Sequence, residues 1–309
     1  MKKLLLLIFI VPFFGKAQYF SGEIVYEMKI IPKSDTIDLK KIIELKGGTT
    51  AKYIITSKRY KSTYFKKGEY QYSYTYDDET KRMYDDYADK SYVTFRDSQR
   101  ANAEYFGSKI LRDSTTIILG YTCYMVKTDS EFGKSKTYYS NDIKVNYSDF
   151  KGHKVGNWYN KLKEVDGAIT LKTITEHENY FEIQEAIKID KRKVKSDEFK
   201  LPDKPLAASF TALDSQIKMK KPTQEQIQCY QQKIGVVSKG KGEKFTSYIS
   251  FLLQKDGEIK FIAPYEKDEN GFYKVGIDVI KNCGFQFDPG KIQGKPIDSE
   301  VYFPIEFLK

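Results

Sequence analysis

The chain has little of what most enzymes use for chemistry. Its 309 residues include two histidines, three cysteines and a single tryptophan. A histidine-activated nucleophile or a histidine-based zinc site would need His153 or His177 held beside specific partners. Both sit in polar, turn-like stretches without the spacing of a metal motif, and they read as surface histidines. A phosphate-binding loop is nearly spelled by Gly235-Val236-Val237-Ser238-Lys239-Gly240-Lys241-Gly242. It lacks the Ser or Thr after Gly-Lys and the buried strand before it, which leaves a flexible basic loop. The acidic runs Asp77-Asp78-Glu79 and Asp85-Asp86 read as solvated loops, because a catalytic carboxylate pair needs a cleft and unequal surroundings. No catalytic residue, metal site or cofactor is expected, and the chain does not read as an enzyme.

Beyond the first residues no stretch is long and apolar enough to span a membrane. Lys2 and Lys3 precede an apolar run from Leu4 to Phe14, and Gly15-Lys16-Ala17 follows. That is the pattern of a cleaved secretory signal over residues 1–17. As a helix the run reaches only about 16 Å, against roughly 30 Å of hydrocarbon. No cysteine follows it, which closes the lipoprotein route. The expectation is a periplasmic protein, free to associate with the outer membrane. The net charge of +10 falls to +7 once Lys2, Lys3 and Lys16 leave. The remaining basic residues are scattered, as on a solvated surface, with attraction to anionic lipid as the functional alternative. Export makes nucleic acid a poor partner. An odd number of cysteines leaves one unpaired in such a compartment. Cys123 lies among Tyr121, Tyr124, Met125 and Val126, where a thiol stays protonated and inert. Cys229 and Cys283 form a disulfide if distance and orientation allow.

What the chain does have is aromatic: 25 tyrosines and 20 phenylalanines, which favour pleated, half-buried surfaces. From Phe20 to Ile31 apolar and charged residues alternate, a clear amphipathic strand. Further strands are expected over 38–45, 53–55, 60–65 and 91–96, with one strand buried on both faces from Thr115 through Val126. A hairpin follows around His177-Glu178-Asn179. Tyr70, Tyr72, Tyr74 and Tyr76 repeat at period two. They form either a floor for a hydrophobic ligand or a sheet face of cross-strand tyrosine pairs. Residues 204–222 carry prolines without a clear period and read as a linker. Thr223 then caps a helix with Ile227, Tyr230 and Ile234 on its buried stripe.

The last stretch, Phe287-Asp288-Pro289-Gly290-Lys291-Ile292-Gln293-Gly294-Lys295-Pro296 followed by Ile297 to Phe307, is a corner and a turn leading into an alternating strand. Pro304 has no N–H to give, which places the strand at a sheet edge. Upstream, a hairpin turns at Lys255-Asp256-Gly257-Glu258, and Gly271 to Asn282 has helical spacing. Together residues 223–309 resemble the TonB carboxy-terminal domain. Earlier, Gly120-Tyr121-Thr122-Cys123 and Tyr138-Tyr139-Ser140-Asn141-Asp142-Ile143-Lys144-Val145 resemble the GLPGLI family of exported Bacteroidetes proteins, although Asp166-Gly167-Ala168-Ile169 lacks that family's proline. This second resemblance covers roughly 20–203 and implies a LolA-like half-barrel.

The expected architecture is therefore mainly β. A curved antiparallel sheet over 18–203 precedes a small α+β domain over 223–309. The TonB resemblance implies docking to an outer-membrane protein or transporter through a sheet edge. Its candidate residues are Pro289, Gly290, Gly294, Pro296, Val301, Phe303 and Ile305. The half-barrel resemblance implies the alternative, a carrier or sensor of lipid or another hydrophobic ligand on the tyrosine face.

Overall fold

The computed structural model describes residues 19–36, 42–43, 49–101, 107–130, 133–237 and 244–308. The expected signal segment and most of the strand expected over 38–45 lie outside these residues. The protein is mainly β, built on a large, curved, unclosed sheet.

The first part supplies β1 (Gly22–Pro32), β2 (Thr50–Thr56), β3 (Arg59–Lys66), β4 (Glu69–Asp77), β5 (Arg82–Tyr87) and β6 (Val93–Asp97). It continues with β7 (Ser108–Ile118), β8 (Tyr121–Ser130), β9 (Gly133–Lys144), β10 (Ala168–Glu176) and β11 (Tyr180–Lys191). β11 returns to pair with β1, so two antiparallel meanders join at that seam. Sequential hairpins dominate because each strand alternates inward and outward residues and its neighbour is one turn away. Helix α1 (Trp158–Glu164) and the turns of 147–157 pack into the hollow, against Ile24, Tyr60, Tyr64, Tyr76 and Leu171. Gly167 lets the chain leave α1: its φ is +78°, and a Cβ there would lie 2.0 Å from the carbonyl oxygen of Val145.

Two expectations fail here. The run from Thr115 to Val126 is not one strand but the β7–β8 hairpin, turned by Leu119 and Gly120 at φ +51° and +83°. Asp85 and Asp86 do not lie in a solvated loop but in β5, inside the sheet, and Asp86 is buried.

The remaining elements are β12 (Leu206–Ala208), β13 (Lys218–Met219), α2 (Gln224–Gly235), β14 (Lys244–Leu253), β15 (Ile259–Pro264) and α3 (Phe272–Asn282). The chain ends with β16 (Phe287–Asp288), β17 (Lys291–Ile292), β18 (Lys295–Pro296) and β19 (Ser299–Leu308). β14 lies between β15 and β19, antiparallel to both. Residues 204–222, read as a linker, contain β12, which runs parallel to β6 on one side and touches β19 on the other. The sheet thus continues from the first part into the last, fifteen strands among the described residues.

Helix α3 covers one face of β14 and β19. Phe272, Val279 and Ile280 meet Ile249, Phe251, Val301, Ile305 and Phe307. Fully buried side chains of this size each stabilise the fold by about 1.5–3 kcal/mol. Gly276 permits the close approach, since a Cβ there would sit 2.7 Å from Ile249 Cδ1. Thr223 caps α2 and Gln226 reciprocates, a complete capping box. Cys229 in α2 is disulfide-bonded to Cys283 at the end of α3. Cys123 is free and fully buried, and burial pushes its thiol pKa up.

Candidate functional site

β19 pairs with β14 along its whole length, but its other side meets β12 only at Ser299. The N–H of Ala208 donates to the carbonyl of Asp298 at 2.8 Å, so the even residues point their main-chain groups toward that second side. Pro304 belongs to this set, and its missing N–H breaks no ladder bond. Beyond Ser299, β19 and β12 make no further ladder pairing among the described residues.

The candidate docking residues divide. Val301 and Ile305 are buried under α3, and Phe303 packs on Phe285 and Phe287. Val301 and Ile305 serve the protein's own core, and Phe303 is half-buried against it. Gly290 is buried because Leu213 fills the space where a Cβ would go, 2.5 Å from Cδ1. The N–H of Lys291 donates to Ser215, the N–H of Asp214 donates to Lys291, and the N–H of Gln293 donates to the Asp214 carboxylate. The corner is thus held by the protein's own segment 213–215. Pro289 is half-buried, whereas Gly294 and Pro296 stay exposed at the β17–β18 turn.

The tyrosine row is three residues, not four. Tyr64 faces Tyr72 across β3 and β4, but Phe65 faces Tyr70, so Gln71 is an inserted bulge residue. The bulge carries Tyr70 to the other face, where its hydroxyl donates to the Asp86 carboxylate and to the Asp86 carbonyl at 3.0 Å. Tyr72 stacks on Tyr64 at 4.4 Å, and Tyr76 stacks on His153 at 4.5 Å. Tyr74 of the row lines a cavity. This cavity, of about 240 Å³, is walled by Tyr26, Tyr53, Tyr64, Tyr139, Trp158 and Ile169, with Lys161 at its rim.

His153 is not a surface residue. It is 1% exposed, lies against Trp158 at 5.0 Å, and its Nε2 is 2.5 Å from the Tyr60 hydroxyl. Its Nδ1 finds no hydrogen-bond partner among the described residues. Burial, with the Arg96 charge nearby, lowers its pKa to about 3. The polar sequence around it hid Phe150 and Trp158, which fold back to box it in. His177 is partly exposed and stacks on Tyr180.

A second opening lies among the described residues where the first part of the sheet meets the last. A cleft of about 1010 Å³ separates β5 and β6 from the helix-free face of β14, β15 and β19. Exposed aromatic rings stand around it: Phe210 at 61%, Tyr265 at 55% and Tyr87 at 38%. On its floor Arg96 holds the Asp85 carboxylate, which burial nonetheless pushes above its ordinary pKa. Lys90 spans the cleft to Glu300 and Tyr302, and the Tyr92 hydroxyl donates to the same Glu300 oxygen. Asp89 and Glu266 are exposed at the rim. Read from the sequence, Asp85 falls in a solvated run and Glu300 and Tyr302 in the terminal strand, but none of them gains a role in a cleft. Lys90 sits in an ordinary polar loop, and Glu300 occupies the outward register of an alternating strand. Only their meeting across 210 residues of chain marks them.

Among the described residues no group of three or more His, Cys, Asp or Glu is placed to hold a metal ion. No described helix is long and apolar enough to cross a membrane. No protein-family model and no curated protein matches the chain. Among solved structures PNGF-II, in a C2 crystal form, aligns with a TM-score of 0.39 and 13% identity. The alignment covers 93% of this chain and 60% of that one, and at this distance it bears on no functional question.

Proposed function

We propose that this is an exported, non-catalytic envelope protein that docks a segment of an outer-membrane protein or transport component against its C-terminal α+β part. The observation that carries the reading is the aromatic-rimmed cleft between that part and the curved sheet. Ligand and partner sites favour such junctions, and clustered exposed aromatics supply much of the affinity of protein interfaces. The even face of β19 and β14 presents Tyr302, Pro304 and Tyr248 without a covering helix, so an extended segment has a flat bed to lie on. Charge points to the kind of segment. On a chain that stays basic after loss of the signal, Asp89 and Glu266 place carboxylates at the rim of this cleft, which suits a basic partner.

The test is crosslinking pull-down from isolated envelopes with the full mature chain. Wild type and the β17–β18 turn variant Lys295→Glu are expected to recover the same outer-membrane protein. The cleft variant Phe210→Ala/Tyr265→Ala is expected to lose it. Equal recovery by all three chains, or no specific recovery, would refute the reading.

The alternative, a carrier of a hydrophobic ligand, has the Tyr-lined cavity behind it. Its volume of about 240 Å³ lies below the roughly 300–1,000 Å³ of pockets for drug-sized ligands. It suits a small apolar molecule or the end of an acyl chain. Native mass spectrometry of the purified protein would show a bound mass if this is the working site.

A further inference from the structure

Lys90 is seated like a ligand. Its Nζ lies 2.5 Å from Glu300 Oε1 and 3.1 Å from the Tyr302 hydroxyl. It is also 5.1, 5.8 and 5.4 Å from the ring centroids of Tyr87, Tyr92 and Tyr302. Two electron-rich rings (Tyr87 and Tyr92), the Tyr302 hydroxyl and one carboxylate around a single ammonium make a partial aromatic cage, an arrangement that suits cationic side chains. The walls come from separate parts of the chain. Tyr87 ends β5, Tyr92 precedes β6, and Glu300 and Tyr302 belong to β19.

Glu300 is only 6% exposed, and a buried carboxylate without a cation is strongly unfavourable. The cage therefore requires a positive charge, but nothing in its geometry requires that the charge be Lys90. Lys90 arrives on the short exposed loop of residues 88–91, and the cleft opens directly beside it. Exchanging one cation for another keeps Glu300 paired throughout, whereas simple withdrawal of Lys90 would not.

We infer that the cage is a recognition site for a lysine or arginine side chain of a partner protein, and that Lys90 fills it in cis until that segment enters the cleft. This rests on the docking reading and names the chemistry of its occupant. The rim carboxylates Asp89 and Glu266 would meet further basic residues of the same segment.

The test uses the full mature chain and an acetylated, amidated Gly-Arg-Gly tripeptide, with the citrulline analogue as a neutral control. Lys90 acylation by an amine-reactive reagent is followed by mass spectrometry, since the arginine probe does not consume the reagent. Lys90 is expected to react slowly in the free protein and at least fivefold faster with the arginine peptide, but not with the citrulline one. Lys90→Met keeps the aliphatic stem and vacates the charge, and it should bind the arginine peptide about tenfold more tightly than wild type. Glu300→Gln in the Lys90→Met background should abolish that gain. Unchanged Lys90 reactivity with both peptides, or equal effects of the two, would overturn the inference. If Lys90→Met binds no better than wild type, the cage is a structural tie only. Failure of the cage with an intact envelope crosslink would leave the docking reading standing. A working cage without a cleft-dependent crosslink would remove docking and leave the cation site.

Discussion

His153 allows a quantitative test of the packing inside the curved sheet. Its pKa is lowered from 6.5 to about 3 by burial, so the fold holds the neutral imidazole. The stability this contributes is fully present above the unfolded value of 6.5. It is lost progressively as pH falls through 6.5 toward 3, because the unfolded chain then binds a proton that the fold refuses. Between pH 7.5 and pH 5.0 the two pKa values give a loss of about 2 kcal/mol, or about 3 °C in Tm for a chain of this length. Other groups titrate over the same interval, so the comparison is with His153→Phe, which retains the ring against Trp158 and Tyr76. Urea unfolding at both pH values, followed by the signal of the single tryptophan beside His153, reads the difference. The wild type is expected to lose about 2 kcal/mol more than the variant on acidification. Equal losses would mean that His153 is hydrated or protonated in the fold, and the packed account of the hollow would fail.

Other consequences follow from the same structure. The Cys229–Cys283 bond closes a loop with a sequence separation of 54, for which chain entropy gives about 4 kcal/mol. Reduction, or paired replacement by serine, should lower the urea midpoint correspondingly, and intact mass after alkylation should show one reactive thiol in the denatured, unreduced chain. Gly276→Val should destabilise by about 1–3 kcal/mol through overpacking against Ile249, measurable by thermal unfolding. Asp86 is buried and receives Lys204 at 2.8 Å as well as the Tyr70 hydroxyl. Replacing it with Ala should therefore cost about 1–3 kcal/mol, since Lys204 stays partly exposed, whereas Lys295→Ala on the exposed turn should change stability little.

Local pattern revealed what local forces decide. The alternation of β1, the β10–β11 hairpin, the cap of α2 and the two faces of β19 were all legible, because each depends on neighbours in sequence. What stayed hidden depends on distant partners. Asp85 and Asp86 look like a loop until Arg96 and Lys204 arrive to pair with them inside the sheet. Tyr70 keeps perfect period-two spacing, yet a one-residue bulge sends it to the other face. His153 looks solvated because Trp158 and Tyr60 approach it only in the folded chain. The candidate corner was recognisable as a turn, but not as the seat of Leu213 and Asp214. The cleft itself has no sequence signature, since its walls meet only through the chance neighbourhood of β6, β12 and β19.

The most direct test of docking is photo-crosslinking in intact cells, with a benzophenone amino acid at position 210 beside the cleft. A matched probe at position 117 serves as control, where Ile117 is 73% exposed on the far β7–β8 hairpin. A discrete adduct with one outer-membrane protein from position 210 and none from 117 is the predicted result. No adduct at 210, or the same adduct from both positions, would contradict the assignment of the cleft as the working surface.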